Sequence, residues 1–510
     1  MTQYKIYELT YAAPEPDGSR VDINLTASFE LDGEKTTIKG FYDGDGVYKL
    51  RYLPLRAGLY RVTVGGIASD SFEIKCQPAD DSDNGPVRAD GFHFKYDSGK
   101  RYYPFGTTVY ALAHQPDELV ERTLSSIESS PFNKVRFCVF PKDYCFNKNE
   151  PELFAFEKTD GRWDPEKPDF RFWKRFEAII EKLGSIGVEC DIILFHPYDR
   201  WGFSRMTHAE SLTYLDYITR RLSAYPNVWW SLANEYDLMA YSREDWAEFG
   251  RFISKNDPAH HLLSDHNCFD YYDFTLPEVS HCSIQDINMS EVPELRAKYG
   301  KPVVFDEICY EGNLDAGWGN ISAFELVHRF WTATVCGGYC THGETYFDPD
   351  DILWWAKGGI LKGESPKRIA FLREIVESLP SPIDYYSQGM AWLTKERVLE
   401  LKKNGLPEEL KYDFWARGLS SLPDGRIQPF ILKSRGTAGI CSDGSVVIWY
   451  LGRTCPAVNY ITLPDGGSYN IEVIDIWEMT RTPAAQGVQG TVKVSLPGKE
   501  GIAILAVRCD

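Results

Sequence analysis

The chain has 510 residues, room for about three domains at ~150 residues each. A hydrophobic fraction of 43% with 25% charged residues describes a globular protein and excludes collagen, coiled coil and wholesale disorder. Lys+Arg of 55 against Asp+Glu of 74 gives a net charge of −19, a surface that repels phosphate and argues against nucleic acid or an anionic membrane as partner.

Residues 1–76 read as a small all-β unit. The runs VDINLTASFEL, TTIKGFY, YKLRYLPL and LYRVTV alternate apolar and polar side chains, the period of a half-buried strand. DGSR, DGEK and DGDG supply turns between them. The last run is reached through Ala57-Gly58, a pattern common at the end of immunoglobulin-like sandwiches. The acidic, turn-rich stretch 77–90 reads as a linker.

Over 91–385 the pattern changes to short β-like runs alternating with amphipathic helices. The β-like runs are YYPFGTTVY, NKVRFCVF, VECDIILF, NVWWSLA, HLLSDH, VSHCSIQ, KPVVFDE and GGYCTHG. Between two of them, Phe172, Phe176, Ile179, Ile180 and Leu183 share one helical face. Thr207 with Glu210, and Ser242 with Asp245, have the spacing of helix N-terminal caps. Eight such units predict a central (β/α)8 TIM barrel. A doubly wound sheet usually carries a Gly-rich fingerprint after its first strand, and none follows here. Over 386–510 the runs GMAWLT, QPFILKS, AGICSDG, SVVIWYLG, NYITLP, YNIEVIDIW, TVKVSLP and GIAILAVR return to all-β, a second sandwich. The expected fold class is therefore multidomain, a TIM barrel flanked by two all-β sandwich domains.

Active sites of such barrels lie at the C-terminal ends of the strands. The fourth strand ends in Asn234-Glu235 and the seventh in Asp306-Glu307. A carboxylate ending an apolar strand is costly to bury, so two facing each other need a purpose. Two carboxyl groups ~5 Å apart can run retaining glycoside hydrolysis, one attacking the anomeric carbon and the other exchanging a proton with the leaving oxygen and then with water.

These strand ends resemble glycoside hydrolase clan A, whose signature is Asn-Glu after strand four with a second Glu ending strand seven. YYPFGTTVYA in strand one and EICYEG at strand seven are most similar to its apiosidase-like branch, near glycoside hydrolase family 5. The resemblance covers the barrel, while the flanking domains match only in type. It implies that Glu235 is the acid/base and Glu307 the nucleophile. It also implies that Arg136 holds the nucleophile as a carboxylate and that His196 lines the sugar subsite. Asn234 is then the partner of the sugar 2-hydroxyl. The chain departs from the clan at strand six, where Gln285 stands in the cleft position near which many members place a His-x-Tyr. Tyr310, or a Tyr from another loop, is the candidate to replace that Tyr.

The aromatic content is 14%, with 14 Trp, 30 Tyr and 28 Phe. Rings at strand ends and in the following loops are the candidates for sugar stacking: Tyr110, Trp201, Trp318, Trp354 and Trp355. His114, His342 and Glu344 are polar candidates in the same loops. Trp229 and Trp230, inside strand four, read as core. The expected substrate is a short oligosaccharide or glycoside cleaved from its end, with no cofactor and no metal. Two other readings are a non-catalytic carbohydrate-binding protein on the same scaffold and a metal-dependent barrel hydrolase. Neither HxH nor HExxH, the usual metal-binding patterns, occurs. No N-terminal signal pattern or apolar run of ~18 residues is present, and the twelve scattered cysteines form no CxxC pair. The expectation is a cytoplasmic protein with reduced thiols, with a homo-oligomer as a possible assembly.

Overall fold

Alternation does what it predicts in the first domain. In Leu25–Leu31 every second side chain is buried. Leu25, Ala27, Phe29 and Leu31 face Leu50, Tyr52, Tyr60 and Val62 in one core. Two antiparallel sheets close over it. One joins Tyr7–Ala12, Val47–Tyr52 and Phe41–Tyr42; the other joins Glu34–Lys39, Leu25–Leu31, Gly58–Gly66 and Asp70–Cys76. The computed structural model describes residues 1–386, 395–434 and 436–510. The chain divides into two compact units, Met1–Ile287 with Lys298–Leu326 and Tyr339–Lys367, and Asn288–Ala297 with Val327–Gly338 and Arg368–Asp510.

The expected linker is shorter than the sequence suggests. Val87–Asp90 is a strand, paired with His93–Tyr96 in a small sheet completed by Arg101–Tyr102. The acidic residues at 80–83 form the turn before it, and Asp83 pairs with Lys5 at 3.0 Å.

All eight predicted barrel strands form one closed parallel barrel. In chain order they are Phe105–Thr108, Lys134–Cys138, Glu189–Phe195, Val228–Asn234, Leu263–His266, Cys282–Gln285, Val303–Glu307 and Tyr339–His342. Strands three and four are buried along their whole length, as expected when helices cover a parallel sheet. Helix Phe170–Ser185 buries Phe172, Phe176, Ile179, Ile180 and Leu183. Both capping boxes form, Thr207 with Glu210 on His208–Leu222 and Ser242 with Asp245 on Arg243–Asn256. One insertion escaped the sequence reading: the hairpin of Phe156–Thr159 and Arg162–Pro168, between strand two and its helix.

Inside the barrel, below the strand ends, lies a charged layer. Lys134 Nζ contacts Asp191 at 2.9 Å and Asp306 at 2.6 Å, and Arg136 Nε lies 3.4 Å from Asp191. Ser283 and Thr341 donate to Asp306 at 2.6 and 2.7 Å. Two cations thus face two anions, which is what allows four charges to be buried together.

The C-terminal region is a six-stranded antiparallel sheet, with the pair Val458–Thr462 and Thr491–Ser495 contributing Ile461 and Val494 to its core. Six of the expected runs are strands here. QPFILKS is not: it forms part of the helix Asp424–Ser434. Ile427 and Phe430 in it have helical spacing and pack with Val398 and Leu419 of neighbouring helices. A short apolar run has no unambiguous period, and this one is decided by its neighbours. The expected strand GMAWLT lies outside the described residues. Thr480–Val488 is an edge strand that its own residues, mostly exposed and including Pro483, did not announce.

Candidate active site

Strand four delivers Asn234, fully buried, and the chain then turns sharply. Glu235 has φ of 60°, the left-handed region, which costs a residue with a Cβ ~1 kcal/mol or more. The turn is closed by Leu238 N–H donating to Glu235 O at 3.0 Å. It leaves Glu235 95% buried over the barrel mouth, and Glu307, the last residue of strand seven, is buried to the same degree.

Gln285, in register with Glu307, joins the two acids. With its amide oriented so that nitrogen meets acceptors, Nε2 donates to Glu307 Oε2 at 3.1 Å and to Glu235 Oε1 at 3.2 Å. The two N–H bonds of an amide diverge by about 120°, so acceptors at these distances lie about 5.5 Å apart. Tyr110 Oη reaches Asn234 Oδ1 at 2.7 Å and makes a shorter contact with Glu307 Oε1. Burial and the neighbouring Glu307 push the Tyr110 hydroxyl well above its usual range, so it stays a proton donor. Tyr310 is buried beside Glu307 without a hydrogen bond of ordinary geometry. A Cβ on Gly343 would overlap the Tyr310 ring, so glycine there lets the ring lie on the strand-eight backbone.

The acids are set apart by their surroundings. Burial and then the charge of Glu307 raise the Glu235 carboxyl above the ordinary carboxylate range, while Lys142, Tyr198 and Cys268 oppose the rise. A carboxyl so raised holds its proton closer to neutral pH, as a general acid must. Glu235 Oε2 and Asn234 Nδ2 are buried with no protein partner, the pattern of groups kept open for a ligand.

Arg136 does not pair directly with Glu307. Its guanidinium is nearest Asp191, its register neighbour on strand three, and Asp306, and it acts on Glu307 and Tyr110 only through space. His196 Nε2 donates to Phe140 O at 3.1 Å, and burial lowers its pKa to about 4, so it is neutral. Trp355 packs its ring on Tyr310 at 5.5 Å and on Tyr144 at 4.9 Å, with Tyr110 at 6.5 Å. Trp201 is half-buried further out, its Nε1 bonded to Glu150 at 2.9 Å. The backbone oxygen of Trp318 accepts from Tyr310 N–H at 2.8 Å, and its indole N–H is buried without a partner.

Four expected sugar contacts point elsewhere. His342 stacks on Phe132 at 4.5 Å and bonds Thr107 at 3.0 Å, and the same Thr107 hydroxyl accepts from Trp354 at 2.8 Å. These groups fill the barrel wall because Thr107 and His342 are register neighbours on strands one and eight. His114 stacks on Phe172 of the covering helix at 5.6 Å. Glu344 accepts from the backbone of Lys362 and Gly363 at 2.6 and 2.9 Å. Glu311 beside it accepts from Glu364 and Ser365 at 2.7 and 3.1 Å. Glu311, His342 and Glu344 bring ligand atoms within 4.8 Å, the one grouping among the described residues that could hold a cation. Each of its four carboxylate oxygens already accepts a backbone amide, so the pair is built as an anionic seat for the start of helix Ser365–Glu377.

Three residues of the site were missed in the sequence: Lys142, Tyr198 and Cys268. Tyr198 and Cys268 follow strands three and five by two or three residues, so extending the reading one turn into each loop finds them. Lys142, in FPKDY after strand two, is signalled only by a lone cation among apolar and aromatic residues.

A closed parallel barrel with this carboxylate pair over strands four and seven has a glycoside hydrolase fold. The chain belongs to the apiosidase-like catalytic domain family, whose model matches residues 89–379. Residues 1–65 and 436–508 match two domains of unknown function, DUF5060 and DUF5605. The chain is similar along its full length to a crystal structure from Bacteroides vulgatus ATCC 8482, provisionally described as a glycoside hydrolase. Identity is 32%, coverage is 100% of this chain and 99% of that one, and the TM-score is 0.85. A glycoside hydrolase family 5 structure from the same organism shares the fold at 12% identity, covering 83% of this chain and 94% of that one with a TM-score of 0.60. No curated protein matches the sequence. Among the described residues, no helix is long and apolar enough to cross a membrane.

Proposed function

We propose that the protein is a retaining glycoside hydrolase that works by double displacement. Glu307 attacks the anomeric carbon while Glu235 gives its proton to the departing oxygen; Glu235 then takes a proton from water, which releases the sugar from Glu307. The observation that carries this reading is the separation of the pair. Inverting enzymes hold their carboxyl groups ~6.5–9.5 Å apart to admit a water and retaining enzymes ~5–5.5 Å, and one amide NH2 bonded to an oxygen of each acid supports the shorter spacing. The raised Glu235 carboxyl supports its role as acid, and the open Asn234 Nδ2 supports a bond to the sugar 2-hydroxyl. We expect short substrates cleaved from the end, with the packed rings of Trp355, Tyr144 and Tyr310 as a candidate platform for the sugar.

The test begins with a panel of nitrophenyl glycosides, including β-galactoside, β-glucoside, β-mannoside and arabinosides. On the best of them, Glu307→Gly should lose hydrolysis and regain rate with azide. Glu235→Ala should spare substrates with good leaving groups and fail on poor ones. Parental turnover of a poor-leaving-group substrate by either variant would contradict the assignment.

A further inference from the structure

Lys142 is 97% buried, and its ammonium meets aromatic rings where a buried cation usually meets a carboxylate. It lies between two rings, 3.3 Å from the centroid of Tyr110 and 4.3 Å from that of Tyr198, with Tyr144 at 5.3 Å. Each of the two nearer rings ends at one of the acids. The Tyr110 hydroxyl contacts Glu307, and Tyr198 lies against Glu235. The backbone that carries Lys142 is fixed: Asn147 Nδ2 donates to Lys142 O at 2.6 Å, and Asp143 N–H donates to Tyr198 O at 2.8 Å.

We propose that Lys142 is the positioning cation of this site, clamping the rings of Tyr110 and Tyr198 so that both hydroxyls face the acids, and offsetting the repulsion between the two carboxylates. The proposal rests on the double-displacement reading of the pair. Two acids this close cannot both ionise cheaply, and a buried positive charge beside them offsets the repulsion. A cation on the face of a phenol ring also withdraws electron density and sharpens the hydroxyl as a donor. Burial lowers the pKa of the Lys142 ammonium and Arg136 adds to the fall, while Cys138, Glu235 and Glu307 oppose it, so its charge depends on the acids it serves; it acts in turn on His196 and His266. Both histidines are held neutral by burial, so the carboxylates are the groups that respond to it. Around Glu235 the remaining groups are Tyr198, Cys268 and the Gln285 amide.

The experiment compares the full-length protein with Lys142→Met, which keeps length and removes charge, and Lys142→Arg, which keeps charge. Lys142→Gln serves if the Met variant does not fold. The first readout is independent of any substrate: the carboxyl-carbon NMR titration of Glu235, assigned with Glu235→Gln. Removing the cation should raise the Glu235 midpoint by about one pH unit, and Lys142→Arg should restore it. With an aryl glycoside, the basic limb of kcat/KM should move up in parallel, kcat should fall about tenfold and KM should change less than twofold. An unmoved Glu235 midpoint in a folded charge-free variant would overturn the proposal. So would a loss confined to KM for substrates carrying a carboxylate, which would make Lys142 a substrate contact. Absence of hydrolysis on every glycoside would count against the double-displacement reading, while the titration would still decide the role of Lys142.

Discussion

Tyr110 has one proton and two acceptors, Asn234 and Glu307, so it sets the geometry between these two side chains. Tyr110→Phe should lower kcat/KM by about 10²-fold with unchanged unfolding, because the ring stays packed and only the donor is lost. A loss under about threefold would move the burden to Gln285. Glu189 makes a separate prediction about stability. It is buried under the barrel with Trp229 Nε1 donating at 3.1 Å, and burial pushes its carboxyl up to about 8. The folded chain therefore holds a proton that the unfolded chain releases near 4.5. Its contribution to stability is full below that lower value and is lost as pH rises towards about 8. Glu189→Gln keeps an acceptor for Trp229, so denaturant unfolding should show it gaining on the parent steadily across this window. At this scale the sequence showed Glu235 and Glu307 because each ends an apolar strand. It hid Lys142, whose role depends on rings more than thirty and more than fifty residues away in the chain.

The loops above the barrel are held by carboxylates that collect backbone amides. Asp237 accepts from Cys268, Phe269 and Asp270 at 2.6, 2.7 and 2.8 Å. Asp199 does the same for Trp201, Gly202 and Ser204, and Glu311 and Glu344 for residues 362–365. Cys268 faces Glu235, so the Asp237 seat holds part of the acid's surroundings. Asp237→Ala should cost about 1–3 kcal/mol in denaturant unfolding and lower kcat about tenfold. Parental kinetics would show that this loop does not govern the acid. The barrel elements were legible because their periods are strong and their caps are local. QPFILKS was not, since Phe430 in it and Ile427 just before it gain their helical meaning only from Val398 and Leu419.

Across the whole of the first unit, the N-terminal sandwich is joined to the barrel by a buried charge network. Glu177 takes Arg51 at 2.6 Å and Arg221 at 2.5 Å, and Arg221 also reaches Asp43 at 2.8 Å. Arg51 extends the network to Glu8 at 2.7 Å. Removing the central anion leaves two arginines short of charge in a dry interface, so Glu177→Ala should lower stability by about 3–5 kcal/mol. A loss under about 1 kcal/mol would mean that water reaches the interface. No local pattern announces this network, because its members are spread from residue 8 to residue 221 and meet only after folding.

The central claim is that Glu307 forms a covalent bond to the sugar while Glu235 manages the proton. Incubating the full-length protein with the 2-deoxy-2-fluoro derivative of the best aryl glycoside, then reading intact mass and a peptide map, tests it most directly. One added fluoroglycosyl group is expected, on Glu307, with turnover slowed until it is released. No adduct, together with product of inverted anomeric configuration from the parent substrate, would contradict it, as would an adduct on Glu235.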